Sequence, residues 1–279
     1  MTPLALDHLV INTLFDMDRA AALMSRLGFT LTPRGYHSLG SINHLMMFEH
    51  DYVELLGLPS GTGNVRKDLL ESPRGLNGLV FKISDADATQ RILRDSGLAM
   101  LEPQSFSRPV TIDGVEHLAR FRTVRTAPEL FEAGRVYYCQ HDTPELVWHR
   151  PWMSHGNGVR GLRELVVVTA NADVDVPRYA KAAQLSAVRQ GDDWMIALPG
   201  GFRLGLISPS RYRERYGKQC VETDGRGSFF GAIVFDAPEP GRLRDLAAAI
   251  PELRAVTGQD SLTVLVPFLN TLLEFRRAG

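Results

Sequence analysis

The sequence has little cysteine, no long apolar run and almost no excess charge. Its 279 residues include two cysteines, Cys139 and Cys220, which is too few for a disulfide framework and is typical of a reducing cytoplasm. The formal net charge of −1 favours neither nucleic acid nor an anionic membrane. No apolar run approaches the roughly 20 residues that span a bilayer, and the first residues lack the features of a signal peptide. We therefore expect a cytoplasmic protein without nucleic-acid or membrane partners.

The composition and length indicate a globular protein of two domains. Hydrophobic residues make up 44% and charged residues 23% of the chain, as in ordinary globular proteins. The length corresponds to about two domains of the usual size. Residues 151–161 are rich in Gly, Pro, Asn and Ser and are therefore predicted to be a linker. The sequence thus predicts an N-terminal domain over 1–152 and a C-terminal domain over 160–279.

One compact unit occupies residues 6–58. Residues 6–13 are a short apolar run with β-branched side chains, which predicts a buried strand. A helical face with apolar residues at three- and four-residue spacing follows, and Gly28 is placed to end that helix in the left-handed conformation. Residues 29–32 return extended, and 43–49 and 51–58 are predicted to be two further strands. The order strand, helix and three strands defines a βαβββ module.

The same module recurs along the chain. A second copy begins with the strand 78–83, a third with 162–170 and a fourth with 229–236. We therefore predict an α+β fold in which four βαβββ modules form two curved, mostly antiparallel sheets.

The third and fourth modules contain no histidine. Glu164 and Glu274 fall near the positions that His8 and Glu54 occupy in the first module. A degenerate structural or dimerisation half is expected there, with a paired-carboxylate site as the alternative. The basic, tyrosine-bearing segment 211–218 is predicted to be solvated surface.

Two polar residues interrupt the apolar strands of the first module. His8 lies in the middle of the first strand and shares a face with Leu6 and Val10, and Glu54 lies in the last strand. An ionised carboxylate in such a strand is costly to bury unless it is paired or bound to a cation. Because His and Glu are common ligands, the pair suggests a metal site. The alternative is a hydrogen-bonded core histidine beside a solvent-facing glutamate.

Several motifs resemble the vicinal oxygen chelate superfamily and, within it, the glyoxalase-like domain proteins. The first module resembles that of the superfamily at Asp7-His8-Leu9-Val10-Ile11, Leu27-Gly28-Phe29 and Tyr52-Val53-Glu54-Leu55. Residues 34–43 resemble the glycine–histidine–glycine–asparagine loop of the glyoxalase-like branch, and 138–148 and 152–158 also resemble it. The resemblance implies paired modules around a concave pocket. It also implies a divalent metal held by His and Glu from first and last strands.

The resemblance also implies roles for single residues. Gly78 stands in the second module where His8 stands in the first, so one ligand of the superfamily set is missing. His141, which ends an aromatic strand, is the best replacement. We predict a metal site of His8, Glu54 and His141, with His8 and Glu54 about 3 Å apart on neighbouring antiparallel strands. Zinc, iron, manganese and nickel are not distinguished.

The predicted substrate site surrounds this metal. His37 and Asn43 are expected to hydrogen-bond the substrate, and Trp148 to supply an apolar wall. Cys139 is two residues before His141 in the same predicted strand and shares its face, so it is also expected to contact the substrate. The alternative is that Cys139 is a buried structural residue. Glu54 and His37 are the predicted catalytic groups.

The leading functional hypothesis is a metal-dependent enzyme that acts on a small oxygenated organic molecule. The resemblance implies a lyase, isomerase or dioxygenase, with the cation as a Lewis acid. The alternative is a metal-free small-molecule binding protein of the bleomycin-resistance type, with no cofactor. A homodimer is compatible with either. Seven of the eight histidines precede residue 150, so we expect the pocket in the N-terminal half.

Overall fold

A computed structural model describes residues 3–61 and 66–277. No helix within these ranges has the length and apolar character needed to cross a membrane. The elements of the N-terminal half are β1 (Ala5–Leu14), α1 (Met17–Arg26), β2 (Gly35–Tyr36), β3 (Ile42–Met47), β4 (Tyr52–Gly57), α2 (Lys67–Leu70), β5 (Gly75–Ile83), α3 (Ala86–Asp95), β6 (Gln104–Ile112), β7 (Val115–Arg125) and β8 (Arg135–His141). Those of the C-terminal half are β9 (Gly161–Thr169), α4 (Ala172–Ala183), β10 (Val188–Gln190), β11 (Asp193–Ala197), β12 (Arg203–Ile207), α5 (Pro209–Tyr216), β13 (Ser228–Asp236), α6 (Pro240–Ala248), β14 (Arg254–Thr257), β15 (Ser261–Val266) and β16 (Thr271–Arg276).

Each half forms one eight-stranded sheet. The strand orders are β2-β3-β4-β1-β5-β8-β7-β6 and β10-β11-β12-β9-β13-β16-β15-β14. Five of the seven neighbouring pairs in each sheet are antiparallel. The other two pairs join the first and last strands of a module and are parallel. The predicted four-module fold is therefore confirmed, but the expectation that first and last strands pair antiparallel is wrong.

The two modules of the N-terminal sheet meet symmetrically at β1 and β5. His8 lies opposite Val80, and Val10 lies opposite Gly78. This reciprocal register means that Gly78 occupies in the second module the position of His8 in the first. The second module therefore lacks a histidine at that position, as the sequence predicted.

The last strands of these modules differ in the same way. Glu54 of β4 is aligned with Val10 of β1, and Tyr137 of β8 is aligned with Val80 of β5. Because Val10 and Val80 are equivalent, Tyr137 takes the position of Glu54. The second module thus has a glycine in place of the histidine and a tyrosine in place of the carboxylate.

The two halves share one hydrophobic core. Apolar faces of both sheets and of α1, α3, α4 and α6 bury their side chains together. Phe29 illustrates the contact, because its ring centroid lies 5.6 Å from that of Phe235 and 6.3 Å from that of Phe275. β8 ends at His141 and β9 begins at Gly161, so the predicted boundary falls between the sheets. The domain limits themselves remain a prediction.

The second sheet has its other face filled by α5. Tyr212 and Tyr216 are buried there in an apolar cluster. Arg215, from the same helix, bridges Glu164 at 3.3 Å and Glu274 at 2.9 Å. The prediction of solvated surface for 211–218 is wrong where it covers α5, because residues four apart in a helix share a face and here that face is aromatic.

Candidate functional site

The N-terminal sheet encloses a cavity of about 460 Å³, which is in the usual range for a small-molecule site. Side chains of β1, β3, β4, β6, β7 and β8 form its walls, together with segment 66–73 and His37. Its apolar lining includes Leu45, Leu56, Phe106, Phe121 and Val147. Other lining residues carry imidazole, carboxylate, amide, phenol and guanidinium groups. The cavity therefore combines an apolar wall with a few convergent polar groups.

A β-bulge in β1 sets the orientation of His8. The register with β5 passes from Leu6–Phe81 directly to His8–Val80, so Asp7 is the additional residue. Its Oδ2 accepts a hydrogen bond from Nδ1 of His8 at 2.7 Å. This contact leaves Nε2 of His8 on the cavity side.

Asp7 is ionised despite complete burial. Burial opposes ionisation, but attraction by His141 and hydrogen bonds from His141 and His8 outweigh it and hold the pKa of Asp7 well below its usual range. A buried carboxylate thus anchors two histidines at once.

Glu54 faces His8 across the cavity wall. Oε2 of Glu54 lies 3.6 Å from Nε2 of His8, while Oε1 accepts a hydrogen bond from Nδ2 of Asn43 at 2.7 Å. The hydroxyl of Tyr137 lies 3.5 Å from the same His8 nitrogen. One carboxylate oxygen is therefore fixed by an amide, and the other is directed at the imidazole.

A second series of polar side-chain contacts joins Asn43 to His37. Nδ2 of Asn43 lies 3.3 Å from Nε2 of His37, and Nδ1 of His37 lies 2.9 Å from Oγ of Ser41, which also accepts from Arg66. Burial lowers the pKa of His37 to about 4, so its imidazole is neutral at pH 7. Gly35 is required here, because a Cβ at that position would lie 2.2 Å from Oδ1 of Asn43.

His141 and Trp148 lie behind the wall. Nε2 of His141 hydrogen-bonds Oδ2 of Asp7 at 2.9 Å, and its ring centroid lies 5.0 Å from that of Trp148. The ammonium of Lys82 lies 4.1 Å from the centre of the same indole. In the described part of the chain neither His141 nor Trp148 lines the cavity. The structure therefore brings together His8, Glu54, Asn43 and His37, and separates His141 and Trp148 from them.

Cys139 lies between these two groups. It lines the cavity, but it is buried. Burial raises the pKa of its thiol well above the usual range, so the side chain is a neutral apolar contact and not a nucleophile.

Two groups of side chains offer ligand atoms for a divalent cation. Asp7, Cys139 and His141 each offer one ligand atom within 4.8 Å of the others. However, Oδ2 of Asp7 already accepts hydrogen bonds from both histidines. The pair of His8 and Glu54 fits better, because its atoms face the cavity and a carboxylate orients the histidine from behind. The assignment of His8, Glu54 and His141 as ligands remains a prediction.

Sequence reasoning missed Asp7, Tyr137 and Arg108. Strand alternation places Asp7 on the face opposite His8, and only the bulge reverses that. The sequence feature that could have identified Asp7 is the presence of an acidic residue inside an apolar strand. Arg108 is only 3% exposed and lines the cavity, although its strand has a polar sequence.

Comparisons with known proteins agree with this architecture. The family model described as a glyoxalase-like domain matches residues 6–183, more than half of the chain. A hypothetical protein from Staphylococcus aureus superposes with a TM-score of 0.69 at 12% identity, over 99% of this chain and 100% of that one.

Two further structures have lower similarity. A fusion of a xylose isomerase-like TIM barrel with a 4-hydroxyphenylpyruvate dioxygenase gives a TM-score of 0.59 at 15% identity, over 100% of this chain and 50% of that one. A mutant of 4-hydroxymandelate synthase from Streptomyces coelicolor gives 0.54 at 14%, over 100% and 95%. No curated protein matches. At these identities the structures share the fold alone. The family match over residues 6–183 shows that the chain belongs to the glyoxalase-like domain family.

Proposed function

We propose that this protein is a metal-dependent enzyme that acts on a small oxygenated organic molecule. The observation that supports it is the 3.6 Å approach of Nε2 of His8 to Oε2 of Glu54 at the cavity wall. Two atoms that share a zinc-like cation, each about 2.0–2.2 Å from it, lie roughly 3 Å apart. Asp7 behind His8 completes the carboxylate–histidine arrangement that orients metal-binding imidazoles.

Different side chains of the cavity would bind the metal, position the reacting groups and accept a proton. A cation held by His8 and Glu54 supplies Lewis-acid polarisation of a carbonyl or enol oxygen. Asn43 hydrogen-bonds Glu54 and lies within reach of His37, so it positions both groups. His37, neutral at pH 7, is an acceptor for a substrate proton. This set suits lyase, isomerase or dioxygenase reactions, and zinc, iron, manganese and nickel all remain candidates.

A second candidate function is that of a metal-free small-molecule binding protein. Gly78 and Tyr137 occupy the positions of His8 and Glu54 in the second module, and His141 is bonded to Asp7. Only two of the expected ligands therefore converge. A protein of this kind would use the apolar wall to sequester its ligand.

Metal analysis separates the two candidates. Protein purified without an affinity tag or chelator should contain a divalent metal, and His8→Ala should lose it. His44→Ala is the matched control, because His44 hydrogen-bonds the carbonyl of Thr32 and does not line the cavity. Retention of metal by His8→Ala would contradict the ligand assignment. If the wild type contains no metal and takes up none from added zinc, iron, manganese or nickel, the binding-protein function replaces the enzyme.

A small-molecule partner is proposed under both functions. The homodimer, the cytoplasmic location and the lack of nucleic-acid partners remain predictions from the sequence.

A further inference from the structure

Arg108 is a buried charge that the proposed function does not use. Its side chain lines the cavity, and its Nη2 is enclosed without a hydrogen-bond partner. Among the described residues it forms neither an ion pair nor a side-chain hydrogen bond. The internal stretch 62–65, outside the described ranges, reads Thr-Gly-Asn-Val and contains no acid. An isolated charge in such a place costs several kcal/mol unless something compensates it.

Arg108 is the most deeply buried of the cavity arginines. Arg125 also has a buried Nε without a hydrogen-bond partner, but its side chain is only half-buried. Arg66 pairs with Asp68. Arg135 donates from Nε to Oδ1 of Asn77 at 2.7 Å, and its Nη1 lies 3.8 Å from Asp68. Arg66 and Arg135 therefore share the carboxylate of Asp68. Arg108 adds a positive charge that Glu54 attracts from within the cavity but that forms no ion pair with any carboxylate of residues 3–61 and 66–277.

The space around Arg108 has an aromatic border. Phe106 and Phe121 stack with ring centroids 5.0 Å apart, and the guanidinium carbon of Arg108 lies 5.9 Å from the centre of the Phe121 ring. Gly35 also contributes, because a Cβ there would lie only 3.0 Å from Cδ of Arg108. The fold thus makes room for an arginine beside an aromatic wall.

We propose that the cavity binds an organic monocarboxylate whose carboxylate pairs with Arg108 and whose apolar body contacts Phe106 and Phe121. The planar guanidinium fork matches a carboxylate in a bidentate pair. Glu54 lies in the same cavity and repels ligands of higher negative charge, which favours a monoanion over phosphate. The inference deepens the proposed function by naming its substrate class, and it rests on that function in taking this cavity as the substrate site.

Binding of a matched pair of probes tests the inference. Phenylacetate and its neutral analogue phenylacetamide are titrated by calorimetry in the presence of EDTA, so that no metal contributes. The wild type should prefer phenylacetate. Arg108→Gln should weaken phenylacetate binding about 10- to 100-fold and leave phenylacetamide unchanged. Arg120→Gln is the control, because Arg120 is exposed and alternates with the cavity residue Phe121.

Other outcomes separate this inference from the metal proposal. Phenylacetate binding that survives EDTA and depends on Arg108 supports the inference even if the protein contains no metal. Binding that requires added metal and is unchanged in Arg108→Gln overturns it while leaving the metal proposal intact. Tighter binding of inorganic phosphate than of phenylacetate also overturns it.

Melting temperature provides a second readout. Arg108→Met removes a buried charge that has no direct ion-pair partner among the described residues, so the ligand-free variant should melt at a higher temperature than the wild type while losing its preference for phenylacetate over phenylacetamide. A lower melting temperature with that preference retained would make Arg108 a structural residue and overturn the inference. Arg108→Lys, which keeps the charge but not the fork, should bind phenylacetate between the wild type and Arg108→Gln.

Discussion

Oδ2 of Asp7 accepts a hydrogen bond from Nδ1 of His8 over 2.7 Å, and this contact determines that Nε2 is the nitrogen on the cavity side. Asp7→Asn removes the negative charge behind the imidazole. We expect metal affinity to fall about 10- to 100-fold, as for other carboxylates that orient a metal-binding histidine. Metal titration of the purified variant measures this. Asp18→Asn, at an exposed ion pair with Arg34, is the control, and equal affinities in both variants would contradict the assigned role.

Glu54→Gln tests the other half of the pair. Glutamine keeps an oxygen that can accept from Asn43 but removes the charge that faces His8. Metal content should therefore fall, while the melting temperature changes little. Glu49→Gln, at an exposed site just before β4, should change neither. Unchanged metal content together with a collapsed melting transition would identify Glu54 as a core residue.

His37 should make the folded protein sensitive to mild acid. Its pKa of about 4 results mainly from burial, whereas an unfolded histidine titrates near 6.5. The unfolded state therefore binds more protons between these values, and stability is lost as the pH falls from about 6.5 to 4. His37→Gln should show a smaller drop in melting temperature between pH 7 and pH 5 than the wild type. Equal drops would mean that His37 titrates normally.

Asp51 should have the opposite pH dependence. It lies directly before β4, and burial raises its pKa to about 7. The folded state retains a proton that the unfolded state releases near pH 4, so stability falls as the pH rises from about 4 to 7 and then levels off. Asp51→Asn should stabilise the protein at pH 8 by up to about 4 kcal/mol and much less at pH 4. Urea unfolding at both values measures this, and an identical gain at each would exclude the mechanism.

The sequence predicted the modules because periodicity and turn glycines act locally. Gly28 ends α1 with a φ of 82°, as expected, and Gly78 falls at the position of His8. Asp7 could not be placed in this way, because a single bulge reverses the alternation of a strand. The positions of His141 and Arg108 depend on how β8 and β6 curve around the cavity. The alternation of side chains along a strand gives no information about that curvature.

The C-terminal half illustrates the same limit and provides the last prediction. Glu164 and Glu274 were predicted near the positions of His8 and Glu54, and both align with Val234 of β13. Arg215 of α5 pairs with both carboxylates, beside Arg203 and Arg276, and strand spacing gives no information about the position of that helix. Arg215→Met would leave each buried carboxylate with a single arginine, Glu164 with Arg203 and Glu274 with Arg276. We expect a loss of about 1.5–3 kcal/mol in the free energy of unfolding, the range for a hydrogen bond to a charged group, because neither carboxylate is left without a cation.

Metal content and phenylacetate binding in the N-terminal cavity should not change in Arg215→Met, because α5 fills the other sheet. Arg213→Met is the matched control, since Arg213 is exposed on the same helix, and it should be neutral in every measurement. Urea unfolding and metal analysis of both variants make the comparison. If Arg215→Met lost metal without losing stability, the carboxylates of this half would belong to the functional site, and their role would not be structural.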